Sequence, residues 1–169
     1  LVGWPKSLSG GTNSTPLIDD LVTGDSNKLE VFIPDTNGNL YLFNEDGVLV
    51  GGWGPVALGT SVERPAVSGD IDGDGAKEIV FTANSTIYAY ETNGVAVTNF
   101  PIAIGSALTS PVLGNLDSDT SLEIFVGAAS GKIYAVNADA TEVTGWGDGG
   151  GCCGGGGDGM TVAGTPAIR

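Results

Sequence analysis

The chain has 169 residues, enough for one domain or a piece of a larger one. Twenty acidic residues against six basic ones give a formal net charge of −14, which argues against a nucleic-acid binder, whose surface must meet phosphate with positive charge. Histidine is absent, which excludes Ser-His-Asp triads, Cys-His pairs and His-ligated zinc within this sequence, and no apolar run approaches the roughly 18 residues of a membrane span.

The sequence opens on Leu1, and Leu1–Leu8 does not read as a signal peptide, so a mature or excised segment is expected. From there the chain repeats. Trp4-Pro5, Trp53-Gly54, Phe100-Pro101 and Trp146-Gly147 fall at intervals of 49, 47 and 46 residues. Pro16, Pro65, Pro111 and Pro166 keep a similar spacing. Glu30, Glu78 and Glu123 each open an apolar run, and Tyr41, Tyr88 and Tyr134 each sit in a second run. Four independent markers on one period of about 47 establish a repeat.

Each repeat reads as four short strands. An apolar segment follows the proline, as in Pro65-Ala-Val-Ser. An acidic loop leads to a β-branched and aromatic strand, as in Glu78–Ala83. A tight turn (Asn37-Gly38, Asn84-Ser85 or Ser130-Gly131) suits positive φ and leads to a third strand. A second turn, at Asp46-Gly47 and Asn93-Gly94, leads to a last strand ending in Trp or Phe. No stretch holds the helical apolar spacing for three turns, so no helix longer than one or two turns is predicted. Four antiparallel strands per 40–50 residues make a propeller blade, which must stack because one blade cannot cover both its faces. The predicted fold is an all-β propeller arc of about three and a half four-stranded blades, part of a larger closed propeller or of a multi-chain assembly. Residues 1–8 read as the last strand of a preceding blade, 9–54 as blade one, 55–101 as blade two and 102–147 as blade three. Residues 148–160 read as a Gly-rich loop with two cysteines, and 161–169 as the start of a fourth blade.

The strongest chemical signal lies in repeat two, Asp70-Ile-Asp72-Gly-Asp74-Gly-Ala76-Lys-Glu78. Carboxylates stand at positions 1, 3, 5 and 9, and Gly75 permits the sharp turn that brings them to one point. Alternation puts the oxygens on one side of a curled loop, and Ala76 can offer its carbonyl. Several charged, hard oxygens are what Ca²⁺ requires. An EF-hand shares this opening but needs Glu at position 12, where Phe81 stands. Repeat three keeps the frame as Asn115-Leu-Asp117-Ser-Asp119-Thr-Ser121-Leu-Glu123, without the glycine and with Asn at position 1, so a weaker site is expected. In repeat one, Asp20 to Glu30 carries two extra residues that break the spacing. Asp and Gly also make ordinary turns, but carboxylates packed as closely as those of repeat two repel unless something neutralises them.

A Pro-led strand, then Asp-x-Asp-x-Asp-Gly-x-x-Glu, then Ile-Val-Phe resembles the FG-GAP/VCBS repeats of integrin-α-type propellers and many secreted bacterial proteins. The resemblance covers nearly the whole chain except Gly147–Gly159, and the Phe-Gly…Gly-Ala-Pro signature of that family is absent. It implies Ca²⁺ in the loop between a blade's first two strands, held by Asp70, Asp72, Asp74, the carbonyl of Ala76 and Glu78. A second set would be Asn115, Asp117, Asp119, the carbonyl of Ser121 and Glu123. It also implies an extracellular or cell-surface location and a role in adhesion or ligand binding.

Ten of the fifteen residues Gly145–Gly159 are glycine, around Cys152-Cys153. No core forms from such a stretch. The adjacent cysteines fit free thiols or intermolecular disulfides, a strained vicinal disulfide, or a misread sequence; zinc is improbable with two adjacent Cys and no His.

With the carboxylates assigned to metal, no nucleophile–base pair remains. The leading reading is therefore a non-catalytic, calcium-binding propeller segment of a secreted or surface protein. Its expected partners are further blades of the same polypeptide or other copies of the chain, with a protein or carbohydrate ligand. Two alternatives are part of a secreted carbohydrate-active enzyme, or a lectin with exposed Trp4, Trp53 and Trp146. A third is a quinoprotein-dehydrogenase-like propeller, suggested by Ile133-Tyr-Ala-Val-Asn-Ala-Asp-Ala-Thr…Gly-Trp146, in which Ca²⁺ and adjacent cysteines serve a quinone.

Overall fold

The structure, a computed structural model, describes residues 3–24 and 28–146 and the backbone of 160–161. Alternating apolar residues and Asx/Gly turns leave no helix among the described residues. Instead, three four-stranded antiparallel sheets follow one another along the chain. Blade 1 contains β1 (Leu17–Asp19), β2 (Glu30–Pro34), β3 (Asn39–Phe43) and β4 (Val56–Ala57). Blade 2 contains β5 (Val67–Gly69), β6 (Glu78–Ala83), β7 (Thr86–Tyr90) and β8 (Ile102–Ala103). Blade 3 contains β9 (Val112–Gly114), β10 (Glu123–Gly127), β11 (Lys132–Val136) and β12 (Met160–Thr161). Within each blade the strands pair in chain order, so the first three share hairpin registers such as Phe32↔Leu42, Phe81↔Tyr88 and Val126↔Tyr134.

The hairpin between second and third strands turns where a residue accepts positive φ: Gly38 at 81°, Asn84 at 54° and Gly131 at 86°. The register then sends alternate side chains to opposite faces. Phe32, Leu40 and Leu42 of blade 1 meet Ile79, Phe81 and Ala83 of blade 2. From the other face of blade 2, Val80, Ile87 and Ala89 meet Ile124, Val126 and Val136 of blade 3. Strand β6 is buried along its whole length because both its faces are covered. Trp53 closes the first interface, wholly buried and edge-on to Phe32, and Phe100 packs into the second. The fold is thus an all-β propeller arc of three four-stranded blades.

Three placements differ from the sequence expectation. The segment ending in Trp53 is not the last strand. After the Asp46-Gly47 turn it makes one bridge, Phe43↔Leu49, and then curls, with Trp53 N–H donating to the Val50 carbonyl. Its aromatic side chain is spent between blades, and the outer strand forms only afterwards, at Val56–Ala57 and at Ile102–Ala103. For the same reason Met160–Thr161 completes blade 3 rather than opening a fourth. Residues 3–8 form no strand, because no preceding sheet among the described residues offers them a ladder. They lie instead against blade 1, with Trp4 and Leu8 on Ile33, Tyr41 and Phe43. Cys152, Cys153, the glycine run and residues 162–169 lie outside the described residues.

Candidate metal centres

In each blade the loop between the first two strands ends on a glutamate that opens the second strand. Glu30, Glu78 and Glu123 are all buried. Their position at a strand start aims each carboxylate back at the loop's first amides. Glu30 Oε2 accepts from Leu21 N–H at 2.9 Å and Val22 N–H at 3.0 Å. Glu78 Oε2 accepts from Ile71 N–H at 2.8 Å, and Glu123 Oε2 from Leu116 N–H at 2.5 Å. The broken spacing of repeat one hid this role for Glu30; the signal was its place at the start of the apolar run.

The loop of repeat two curls through Gly73 and Gly75, at φ of 81° and 90°. Asp70 holds the curl with both oxygens, accepting from Gly73 N–H at 2.7 Å and Gly75 N–H at 3.0 Å. Asp72 accepts from Asp74 N–H, and Asp74 from Ala76 N–H. Asp70, Asp72 and Glu78 each bring a carboxylate oxygen within 4.8 Å of the others; Asp74 is not drawn into that group. In repeat three the group is Asp117, Asp119 and Glu123, positions 3, 5 and 9 of the loop where repeat two brings together positions 1, 3 and 9. There Asn115 closes the curl, accepting from Ser118 N–H at 2.8 Å and donating its amide to the Asp119 carbonyl at 2.5 Å. Ser118 takes the positive φ, 73°, that Gly73 takes in repeat two, a backbone conformation less favourable without glycine.

Burial, only partly offset by the Ile71 amide, pushes the Glu78 carboxyl up to about 7, with Asp72, Glu91 and Asp70 adding repulsion. Glu78 Oε1 is buried with no hydrogen-bond partner. Glu91 is also raised, by burial and by Asp72 and Asp74. A buried acceptor among other carboxylates is costly unless a cation or proton meets it.

The loops touch. Leu122 N–H donates to the Asp70 carbonyl at 2.9 Å, and a Cβ on Gly73 would lie 3.0 Å from Ser121 Oγ. Beside this contact a cleft of about 370 Å³ is lined by Asp72, Asp119, Glu123 and Asp139. Repeat one is different: Asp19 pairs with Lys77 Nζ at 2.8 Å and accepts from Ser68 Oγ at 2.7 Å, so a lysine of blade 2 supplies positive charge there.

No family model matches the chain, and neither does the sequence of any curated protein. Among solved structures, BBS1N, crystallised in complex with ARL6DN and soaked with mercury, superposes with a TM-score of 0.59 at 15% identity, over 80% of this chain and 44% of that one. The V. cholerae biofilm matrix protein Bap1 superposes with a TM-score of 0.37 at 16% identity, over 74% of this chain and 27% of its own. The chain therefore spans less than half the length of either. The first likeness is one of fold alone, in agreement with the blades described above, and the second is too slight to add to it.

Proposed function

We propose that the chain is a non-catalytic, calcium-binding propeller segment of the FG-GAP/VCBS kind, from an extracellular or cell-surface protein working in adhesion, ligand binding or assembly. One observation carries the metal: Glu78 is wholly buried, has an oxygen without a hydrogen-bond partner, and stands with two aspartates in a group spanning 4.8 Å. Hard, charged oxygen donors in a glycine-hinged loop suit Ca²⁺ better than softer metals. Asp70, Asp72, Asp74, the Ala76 carbonyl and Glu78 would hold the first ion. Asn115, Asp117, Asp119, the Ser121 carbonyl and Glu123 would hold the second. The tryptophans favour a structural over a sugar-binding role: Trp53 is buried, and Trp4 and Trp146 are half-buried.

Titration calorimetry after chelation should find two ions per chain, with the repeat-two site the tighter because it has one more charged ligand. Asp72→Ala should remove one ion. An unchanged stoichiometry would overturn the metal assignment.

A further inference from the structure

The turn after a blade's third strand is seated in the same way on blade 1 and on blade 2. On blade 2, the Trp53 indole N–H donates to the Thr92 carbonyl of the Asx-Gly turn at 2.8 Å. Gly52, at φ of 91°, lets that turn come close: a Cβ on it would lie 1.7 Å from the Asn93 carbonyl oxygen, and one on Gly94 would lie 2.6 Å from the Gly52 oxygen. On blade 1, the Trp4 indole N–H donates to the Glu45 carbonyl at 3.0 Å, and a Cβ on Gly3 would lie 1.8 Å from the Asp46 oxygen.

Between blades 2 and 3 all three parts of this seat are changed. Asn99, at φ of 72°, stands where Gly3 and Gly52 stand, Phe100 replaces the tryptophan, and Ala140, at φ of 67°, replaces the turn glycine. The two Cβ atoms forbid so close an approach of the backbones, and a phenyl ring has no N–H to give. The turn stands off, and the cleft of about 370 Å³ lies between residues 97–99 and 137–139. Its acceptors are left over. The Ala138 carbonyl, the counterpart of those of Glu45 and Thr92, meets no donor among the described residues. Asp139 spends Oδ1 on the Thr141 amide and hydroxyl, at 2.9 and 2.5 Å, and keeps Oδ2. Glu123 is 1% exposed; one oxygen holds the Leu116 amide, and the other accepts no hydrogen bond among the described residues. Asp72 and Asp119 add charge, no basic side chain lines the cleft, and Ile71, Val97 and Leu122 make its apolar wall.

We propose that this cleft binds an arginine side chain of a partner protein, its guanidinium among the Ala138 carbonyl, Asp139 and Glu123. The occupant follows from complementarity. The seats on blades 1 and 2 fill the turn carbonyl with an N–H, and here the chain supplies none. A guanidinium brings several N–H donors in a plane and the charge that the carboxylates call for, and its aliphatic stem suits the apolar wall. Lys77 supplies positive charge at the boundary of blades 1 and 2, but the residue in its place on blade 3 is Leu122. The inference gives a ligand class to the ligand-binding role proposed above, yet does not depend on metal. Four carboxylates around one divalent ion and three around the other still leave negative charge, and Asp139 lies outside both sets.

The test is titration of the isotope-labelled full chain with the blocked peptide acetyl-Gly-Arg-Gly-amide, followed by amide NMR shifts. Saturable shifts at residues 97–99 and 137–139 are expected in calcium and in chelator alike, with a dissociation constant on the order of 1 mM. The peptide with citrulline, which keeps the shape and loses the charge, should leave them unmoved. Asn99→Gly with Phe100→Trp recreates at 99–101 the Gly-Trp-Pro of residues 3–5. It should let the turn seat and weaken binding at least about tenfold, with a melting midpoint no lower than wild type to show that it is folded. Asp139→Asn should also weaken binding. Equal binding by the double variant would mean that the acidic surface as a whole holds the peptide, and would overturn the proposal. So would equal binding of the citrulline peptide, or binding in chelator only, where the guanidinium would be standing in for a metal ion. Peptide shifts in a chain that takes up no calcium would sink the metal reading alone; two bound ions without peptide shifts would sink this one alone.

Discussion

At the scale of single residues, two buried carboxyl groups shift in opposite directions. Asp35 is buried, which opposes its charge, but Ser9 donates to it at 2.6 Å and Tyr41 at 3.0 Å, with the amides of Asn37 and Asn39 beside them. These donors outweigh burial and hold it at about 2. A lowered carboxyl stabilises the fold above its unfolded value of 3.8 and loses that contribution as pH falls toward 2. Asp35→Ala should cost on the order of 3 kcal/mol at neutral pH, from donors left without an acceptor, and flatten the acid limb of a pH–melting curve. Glu78 behaves the other way. With its carboxyl raised from 4.5 to about 7, the metal-free chain should lose stability as pH rises through that window, by on the order of 3 kcal/mol. Glu78→Gln should abolish that loss in chelator and weaken calcium binding, both readable from melts at pH 5 and 8. Neither residue was equally legible. Glu78 stood out by its place after an acidic loop, whereas Asp35 sits in an ordinary-looking Asp-Thr-Asn-Gly turn, and its donors come from residue 9 and from the next strand.

At the scale of elements, the second and third strands could be read from the sequence because each carries a β-branched and aromatic run, apolar on both sides where a blade has two neighbours, as in β6. The glycine-rich and Asn-containing turns between them were equally plain, since positive φ admits few residue types. The outer strand could not be placed. It has two residues in each blade, and its position depends on a tryptophan that looked like the end of a strand and serves as a plug between sheets. The acidic loops were legible as ligand frames through their spacing. Their mutual contact was not, because it joins Asp70 to Leu122 through backbone groups that carry no side-chain signature. The Lys77–Asp19 pair was hidden likewise by a separation of 58 positions along the chain.

At the scale of the whole molecule, a formal charge of −14 opposes compaction. Two bound calcium ions would bring it to −10. A ligand that binds only the folded chain stabilises it by about 2.7 kcal/mol per site at a hundredfold excess over its dissociation constant. For a domain of this size each kilocalorie moves the midpoint by about 2–4 °C. Chelation should therefore lower the melting midpoint by on the order of 10 °C, measured by calorimetry in calcium and in EDTA; identical midpoints would mean that the loops are turns only.

The arrangement of the two apolar clusters has a mechanical meaning as well. One cluster joins blades 1 and 2 and the other joins blades 2 and 3, and blade 2 contributes to both. It is the keystone of the arc. Damage at blade 3 leaves a joined pair behind, whereas damage at Val80 or Phe81 separates the outer blades from each other. Cooperativity in such a stack runs from neighbour to neighbour, so the same loss of packing weighs more at the centre of the arc than at its free edge.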